Sequence, residues 1–346
     1  MKKITMLLLG FIALAVHAQQ PVEGSTYFLP KTAIQFHIRV EKTVYEPGEL
    51  ALYSEKYLKL KNVSMEPRTS YRIISVETRS VGVPDTAKQH MALIDKKHSI
   101  ISLSRDDNGV LLAVNTIGRR TEAPKPFVPA PKPAPLNPHD FMNADILAAG
   151  TKPKMAELIA SEIYEIRESR NQLTRGEADN MPKDGEQLRI MMANLDKQER
   201  ALLQEFTGTV EKDTTERILT FMPNKETSRQ LLFRFSSKLG MVDNDDLSGR
   251  PFYVTVEDLH YLPTLNLPDV GKKSKEESGI YVNLPGKIRL SLFDGTQLLG
   301  KFEHYVAQFG RSESLSGELF GKKFTTHIVL DPVTGNAQRL EVVPLQ

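Results

Sequence analysis

Two runs of apolar residues at helical spacing stand out between Lys154 and Gly208. Met155, Leu158, Ile159, Ile163, Ile166 and Leu173 form the first, and Leu188, Met191, Met192, Leu195, Leu202, Leu203 and Phe206 the second. Recurrence every three or four positions lines one face of an α-helix. The polar break between the runs carries Gly176 and Pro182, so the pattern predicts an antiparallel helical hairpin within residues 139–208. Thr151 and Asp184 stand where N-caps belong, Gln187 completes a capping box with Asp184, and Gly208 ends the second run. Asp196 and Arg200 predict an acid-first pair along one turn. A single apolar stripe on each helix predicts packing against the other helix and against a sheet.

On either side of the hairpin the period shortens to two. Ile34, Phe36, Ile38 and Val40 alternate with Gln35, His37, Arg39 and Glu41, a half-buried strand that places His37 on a solvated or cross-strand face. A short helix is predicted over 49–60, and strands over 71–78, 98–104 and 110–115, the last two joined by a tight turn at Asn108-Gly109. Beyond Thr214 the pattern predicts strands at 217–221, 231–235, 252–256, 280–284, 288–293, 298–305, 324–330 and 340–343. Proline at nearly alternate positions from Glu122 to Pro138 favours an extended, semi-rigid spacer or exposed loop. The predicted class is therefore α+β, mainly β. An N-terminal β-domain (19–121), a Pro-rich linker (122–138) and the helical hairpin (139–208) lead to a C-terminal β-sandwich or small barrel (209–346).

Lys2 and Lys3 precede an apolar run from Ile4 to Val16 and a small-residue site at Val16-His17-Ala18. This is the layout of a cleaved signal peptide over residues 1–18, and the run is too short to span a bilayer. An exported mature chain beginning near Gln19 is expected, in the periplasm or at the cell surface, with no transmembrane span after cleavage. The chain has no cysteine, which excludes a lipoprotein anchor, disulfides and thiolate catalysis. Its 45 basic and 43 acidic residues give +2, and loss of Lys2 and Lys3 leaves 43 against 43. A neutral chain has no net electrostatic drive toward nucleic acid.

No zinc helix, nucleophile elbow, P-loop or dinucleotide fingerprint occurs, so no catalytic residue, cofactor or resident metal is assigned. Asp243, Asp245 and Asp246 form a weak calcium candidate, because Leu247 stands where an oxygen ligand belongs and the closing glutamate is missing. Asp258 and His260 share a strand face without a third ligand and read as a hydrogen-bonded surface pair. Glu165 and Glu168 lie on the charged face of a helix, not across a cleft as glycoside hydrolysis needs. The polar tip of the hairpin supplies partner-contact candidates in Arg175, Glu177, Asp179 and Lys183.

Separated motifs in one order carry a resemblance. They are Tyr27-Phe-Leu-Pro-Lys-Thr32, Tyr45-x-Pro-Gly-Glu49, Ile166-Arg-Glu-Ser-Arg170, Gly176-Glu-x-Asp179, Asp184-Gly185, Leu195-Asp-x-Gln-Glu199, Phe206-Thr-Gly208 and Ala307-Gln-Phe-Gly310. Together the chain resembles domain-of-unknown-function family 4831, a secreted family of anaerobic Gram-negative bacteria. The resemblance implies export and a unit of nearly full length, with no activity or site residues to carry over. Asp85-Thr86-Ala87 and Asp213-Thr214-Thr215 are similar to O-glycan acceptor signals of such bacteria, which makes Thr86 and Thr214 candidate attachment sites. The expected function is a non-enzymatic binding or scaffold protein of the bacterial envelope, contacting a protein or envelope component. The alternative is an exported hydrolase of glycans or peptides using carboxylates with His260 or His304.

Overall fold

The alternation around Phe36 belongs to a strand far longer than the pattern marks. β1 runs over Gly24–Glu46 and pairs along nearly its whole length with β2 (Arg68–Leu93). The computed structural model describes residues 24–93, 99–263, 279–315, 317–321 and 323–344. The predicted signal peptide lies outside them. After β2 come β3 (Leu103–Arg105), β4 (Leu111–Val114), β5 (Thr209–Phe221), β6 (Thr227–Ser236) and β7 (Gly240–Val242), then β8 (Arg250–Asp258), β9 (Ile280–Asp294), β10 (Gln297–Leu315), β11 (Phe324–Leu330) and β12 (Ala337–Pro344). The helices are α1 (Ser54–Leu58), α2 (Ala144–Leu147), α3 (Lys152–Arg175) and α4 (Gly185–Thr207).

Three antiparallel sheets result, in the orders β2-β1-β5, β10-β9-β8-β6-β7 and β12-β11-β4-β3. The expected separation into one β-unit before the hairpin and another after it gives way to shared sheets. β5 pairs with β1, and β4 pairs with β11. Backbone pairing across long sequence separation follows from burial: Ile34, Phe36, Ile38 and Val40 make this stretch of β1 apolar on its inner face, and β2 covers only one of its edges, which leaves the other to β5.

The first core lies between the three- and five-stranded sheets, where Ile34, Phe36, Ile38 and Phe221 meet Phe233, Phe252, Val254, Leu290 and Leu292. The second joins Tyr27 and Leu29, at the start of β1, to Ile280 and Val282, at the start of β9, and to Leu111, Ile328 and Leu330 of the four-stranded sheet. β1 and β9 therefore run through both cores. Register shifts between Phe28 and Pro30 on β1, and between Val306 and Arg311 on β10, mark the crossing point. A bulge bends a strand and increases its twist, which lets one ribbon face two layers.

Polar groups at the crossing point are closed on one another. Asn283 is fully buried; its Nδ2 donates to Pro30 O and Thr334 O, each at 2.9 Å, and its Oδ1 accepts from Ser312 Oγ at 3.0 Å. Gln308 imitates a strand edge, since its Oε1 accepts from Thr32 N at 2.9 Å while its Nε2 donates to Thr32 O at 2.8 Å. At Gly310 a Cβ would stand 1.8 Å from Leu284 O, so only glycine lets the two strands approach there.

The helical hairpin forms as the periodicity predicts, with Ile163 and Leu202 fully buried and Leu158 and Leu195 packed beside them. Thr151 and Asp184 cap α3 and α4 by accepting from Lys154 N and Gln187 N. The expected sheet beneath the hairpin is absent from its core. Its base packs instead on Leu50 and Leu58, around α1, and on Met142 and Ile146, around α2. Gly208 closes α4 at φ +75°, where a Cβ would meet Glu46 O at 2.1 Å; this tight joint ties the end of α4 to the end of β1. Asp196 reaches across the hairpin to Arg170 at 3.0 Å, and Arg200 binds only its backbone oxygen, so the pair expected along one turn does not form.

The Pro-rich segment is not a free spacer. It lies as a strap over the outer face of the three-stranded sheet, with Arg79 donating to Glu122 O at 2.7 Å, Phe127 stacked 5.3 Å from the Arg39 guanidinium and Lys132 3.6 Å from Asp213. His37, expected as a solvated or cross-strand residue, is the latter: it is only 12% exposed and its Nδ1 lies 3.4 Å from Glu216 on the neighbouring strand β5.

Candidate functional site

The hairpin divides into a held base and a free arm. At the division, Glu199 accepts from Arg167 Nε at 2.6 Å and from Arg170 at 2.7 Å, and Arg170 also holds Asp196. Glu199 is buried between the helices, so its charge requires these partners. The motifs Ile166-Arg-Glu-Ser-Arg170 and Leu195-Asp-x-Gln-Glu199 are therefore two halves of one ionic clasp. Beyond the clasp Leu173 is the buried residue of α3, while Leu188 and Met192 of α4 are only partly covered.

A groove of about 420 Å³ opens there, between Leu173, Ala178 and Asp179 on one side and Met191, Asn194 and Leu195 on the other. Met181, Ile190 and Met191 are 40–48% exposed around this end of the hairpin. Methionine adapts its shape to an apolar partner more readily than branched residues do. Of the four contact candidates, Asp179 lines the groove. Arg175 lies 3.8 Å from Glu177, and Lys183 N donates to Gln187 Oε1. These three surround the tip without entering the groove.

The remaining candidates stand apart from one another. Asp246 accepts from Ser248 N at 2.8 Å, and Arg234 donates to Asn244 O and Gly249 O across the same turn. The Ser248 bond, helped by the charge of Arg234, holds the Asp246 carboxyl below its ordinary range. Among the described residues no group of three or more His, Asp or Glu side chains is placed to hold a metal, so Asp243, Asp245 and Asp246 do not converge on a calcium ion. His260 and Asp258 form an exposed pair at 3.4 Å. Glu165 and Glu168 are exposed on α3, bonded to Ser161 and Gln172. Thr86 is exposed on β2, whereas Thr214 is half-buried on β5.

His304 is engaged structurally. Its Nε2 lies 2.8 Å from Thr78 Oγ1 and its Nδ1 2.9 Å from Ser80 Oγ, so it stitches β10 to β2 across the edges of two sheets. Burial holds its imidazole below the ordinary histidine value of 6.5, and His90 is lowered for the same reason. The unfolded chain therefore binds protons at these sites that the folded chain does not. Their stabilising contribution is complete above about pH 6.5 and is lost as pH falls from there through the folded values. We expect the thermal midpoint to drop between about pH 7.5 and pH 5, with a shallower fall in His304→Asn; equal slopes would show that His304 does not contribute.

Among the described residues no helix is long and apolar enough to cross a membrane. Comparison with curated proteins found no match, and comparison with solved structures found none. A family model does match, over residues 23–338, which takes in both cores, the crossing point and the clasped hairpin. The chain thus belongs to the family described as Domain of unknown function (DUF4831).

Proposed function

We propose that this is an exported, non-enzymatic binding or scaffold protein of the bacterial envelope, which engages a protein or envelope component through the free arm of its helical hairpin. The observation that carries this reading is the arm beyond the Glu199 clasp. Among the described residues the two helices pack there on each other alone, leaving exposed Met181, Ile190 and Met191 around a groove rimmed by polar residues. Helical arms draw most of their stability from tertiary packing, and a second surface laid along this one would complete it. Export follows from the charged, apolar and small-residue order of residues 1–18. The hydrolase alternative gains no support from its proposed histidines, since His304 is held by two hydroxyls and His260 by Asp258.

The test replaces residues 175–183 with a short turn and compares crosslinked capture of envelope components from native cells. Capture by the parent chain should be lost in the variant while far-ultraviolet circular dichroism and the melting of the β-cores stay the same. Unchanged capture would remove the tip from the interaction.

A further inference from the structure

The outer face of the three-stranded sheet carries a ladder of polar side chains that the strap closes over. Gln35, His37 and Arg39 project from β1. Arg79, Glu77 and Ser75 stand opposite them on β2, and Thr220, Ile218 and Glu216 on β5. Between this ladder and Pro124, Pro126 and Phe127 lies a cavity of about 410 Å³ lined by His37 and Arg39, within the range of small-ligand sites; Gln35 lines an adjoining cavity of about 350 Å³ that shares Arg79 and Pro124 with the first. His37 and Glu216 are each 12% exposed in it.

Four atoms of the ladder are buried with no hydrogen-bond partner among the described residues: Gln35 Oε1, His37 Nε2 and Arg39 Nε on β1, and Ser75 Oγ on β2. Buried polar atoms are nearly always paired, because losing water without a replacement partner is costly. Here three unpaired atoms share one face of one strand. Pro124 and Pro126 of the strap have no N–H, and the Lys125 and Phe127 groups beside them make no hydrogen bond to these atoms.

The polarity of the three atoms selects the ligand. The His37 Nδ1 lies 3.4 Å from a Glu216 carboxylate oxygen, which favours the proton on Nδ1 and leaves Nε2 as an acceptor. Gln35 Oε1 is also an acceptor, whereas Arg39 Nε is a donor. Arg39 stands 3.2 Å from Glu77 and 3.5 Å from Glu216, the latter a charge contact without hydrogen-bond geometry. A ligand in the cavity must therefore donate to His37 and accept from Arg39, facing a guanidinium already neutralised by two carboxylates, and one long enough to reach the adjoining cavity donates to Gln35 as well. A fully ionised anion only accepts. A peptide would seek backbone pairing, but β1 is the central strand and its edges are used on both sides. Hydroxyl groups both donate and accept, and Pro126 and Phe127 give the cavity an apolar wall for the C–H groups of a sugar.

We infer that the cavity between the strap and the three-stranded sheet is a saccharide-binding site, with His37 and Arg39 reading ligand hydroxyls, Gln35 reached from the adjoining cavity, and Pro126 and Phe127 forming its apolar wall. It is independent of the hairpin arm, so either reading stands without the other.

The chain has no tryptophan, so Phe127→Trp places a single fluorescent reporter in the apolar wall. The mature full-length variant is titrated with methyl glycosides of glucose, galactose, N-acetylglucosamine and glucuronic acid, and separately with inorganic phosphate and trialanine. Saturation-transfer NMR on the parent chain repeats each titration without the substitution. We expect saturable binding of at least one glycoside at millimolar concentration or below. His37→Ala combined with Arg39→Lys, which keeps a charge beside Glu77 and Glu216 but removes the Nε donor, should weaken it about tenfold or more, from the loss of two hydrogen bonds, with the thermal midpoint nearly unchanged. Silence toward every glycoside in both measurements would overturn the assignment. So would binding of phosphate or trialanine alone, or glycoside affinity that survives the double substitution.

Discussion

Phe36→Ala should lower the free energy of unfolding by about 3–5 kcal/mol, the range for removing a buried aromatic ring. Phe36 is fully buried on the central strand of the three-stranded sheet, and its ring meets the rings of Phe221 and Phe302 edge-on, each with centroids 6.4 Å away. Phe221 lies on β5 and Phe302 on β10, so the substitution opens a void in a region shared by both sheets. Close-packed interiors relax only partly around such a void. Phe36→Leu keeps most of the volume and should cost less. The check is the urea midpoint at constant slope; a loss below about 1 kcal/mol would mean that the two sheets do not close on this ring.

Asn283→Ala should cost about 2–4 kcal/mol although it removes few atoms, because it leaves buried polar groups without partners. Pro30 O and Thr334 O both take their bonds from the Asn283 amide, and the Ser312 hydroxyl and the Lys88 ammonium approach its oxygen at 3.0 and 3.3 Å. Asn283→Asp preserves shape but turns the donor toward two carbonyl oxygens into an acceptor, so it should be no better than alanine. Denaturant unfolding of the pair separates the two physical accounts. If the residue only filled space, aspartate would rescue stability, and that result would exclude the hydrogen-bonding role.

The pairing of these residues illustrates what was legible. Phe36 sits within an alternating run, and its burial follows directly from period and apolarity. Asn283 lies within the first of two predicted strands, 280–284 and 288–293, that the structure fuses into β9, and as a polar residue there nothing in its neighbourhood marks it as buried. The hairpin was readable because its stripe, caps and terminal glycine agree. The Glu199 clasp was missed because its partners are about thirty residues away, and helical spacing relates only positions a turn or two apart. The motifs quoted for the family resemblance now have physical roles. Phe206-Thr-Gly208 and Tyr45-x-Pro-Gly-Glu49 meet where α4 joins β1, through Leu50 N to Glu205 O at 2.8 Å and the tight contact of Gly208 on Glu46. Ala307-Gln-Phe-Gly310 holds the crossing point through Gln308 and the close approach at Gly310.

The candidate sites divide in the same way. The tip residues Arg175, Glu177, Asp179 and Lys183 were visible as a polar break, yet only the folded hairpin shows which of them border a groove. The ladder of Gln35, His37 and Arg39 read as the solvated or cross-strand face of a half-buried strand. Proline spacing foretold an extended segment but not the surface it would lie on.

From its residues alone, this protein determines its class as mainly β with a capped helical hairpin, and its lack of any cysteine chemistry. Those properties depend on local periodicity and composition, which act over a few residues. The tertiary structure alone decided that strands from both sides of the hairpin share sheets, that β1 serves two cores, and that the Pro-rich strap buries a polar ladder. Each of these depends on which distant surfaces exclude water together, and that is a property of the closed chain, not of any stretch of it.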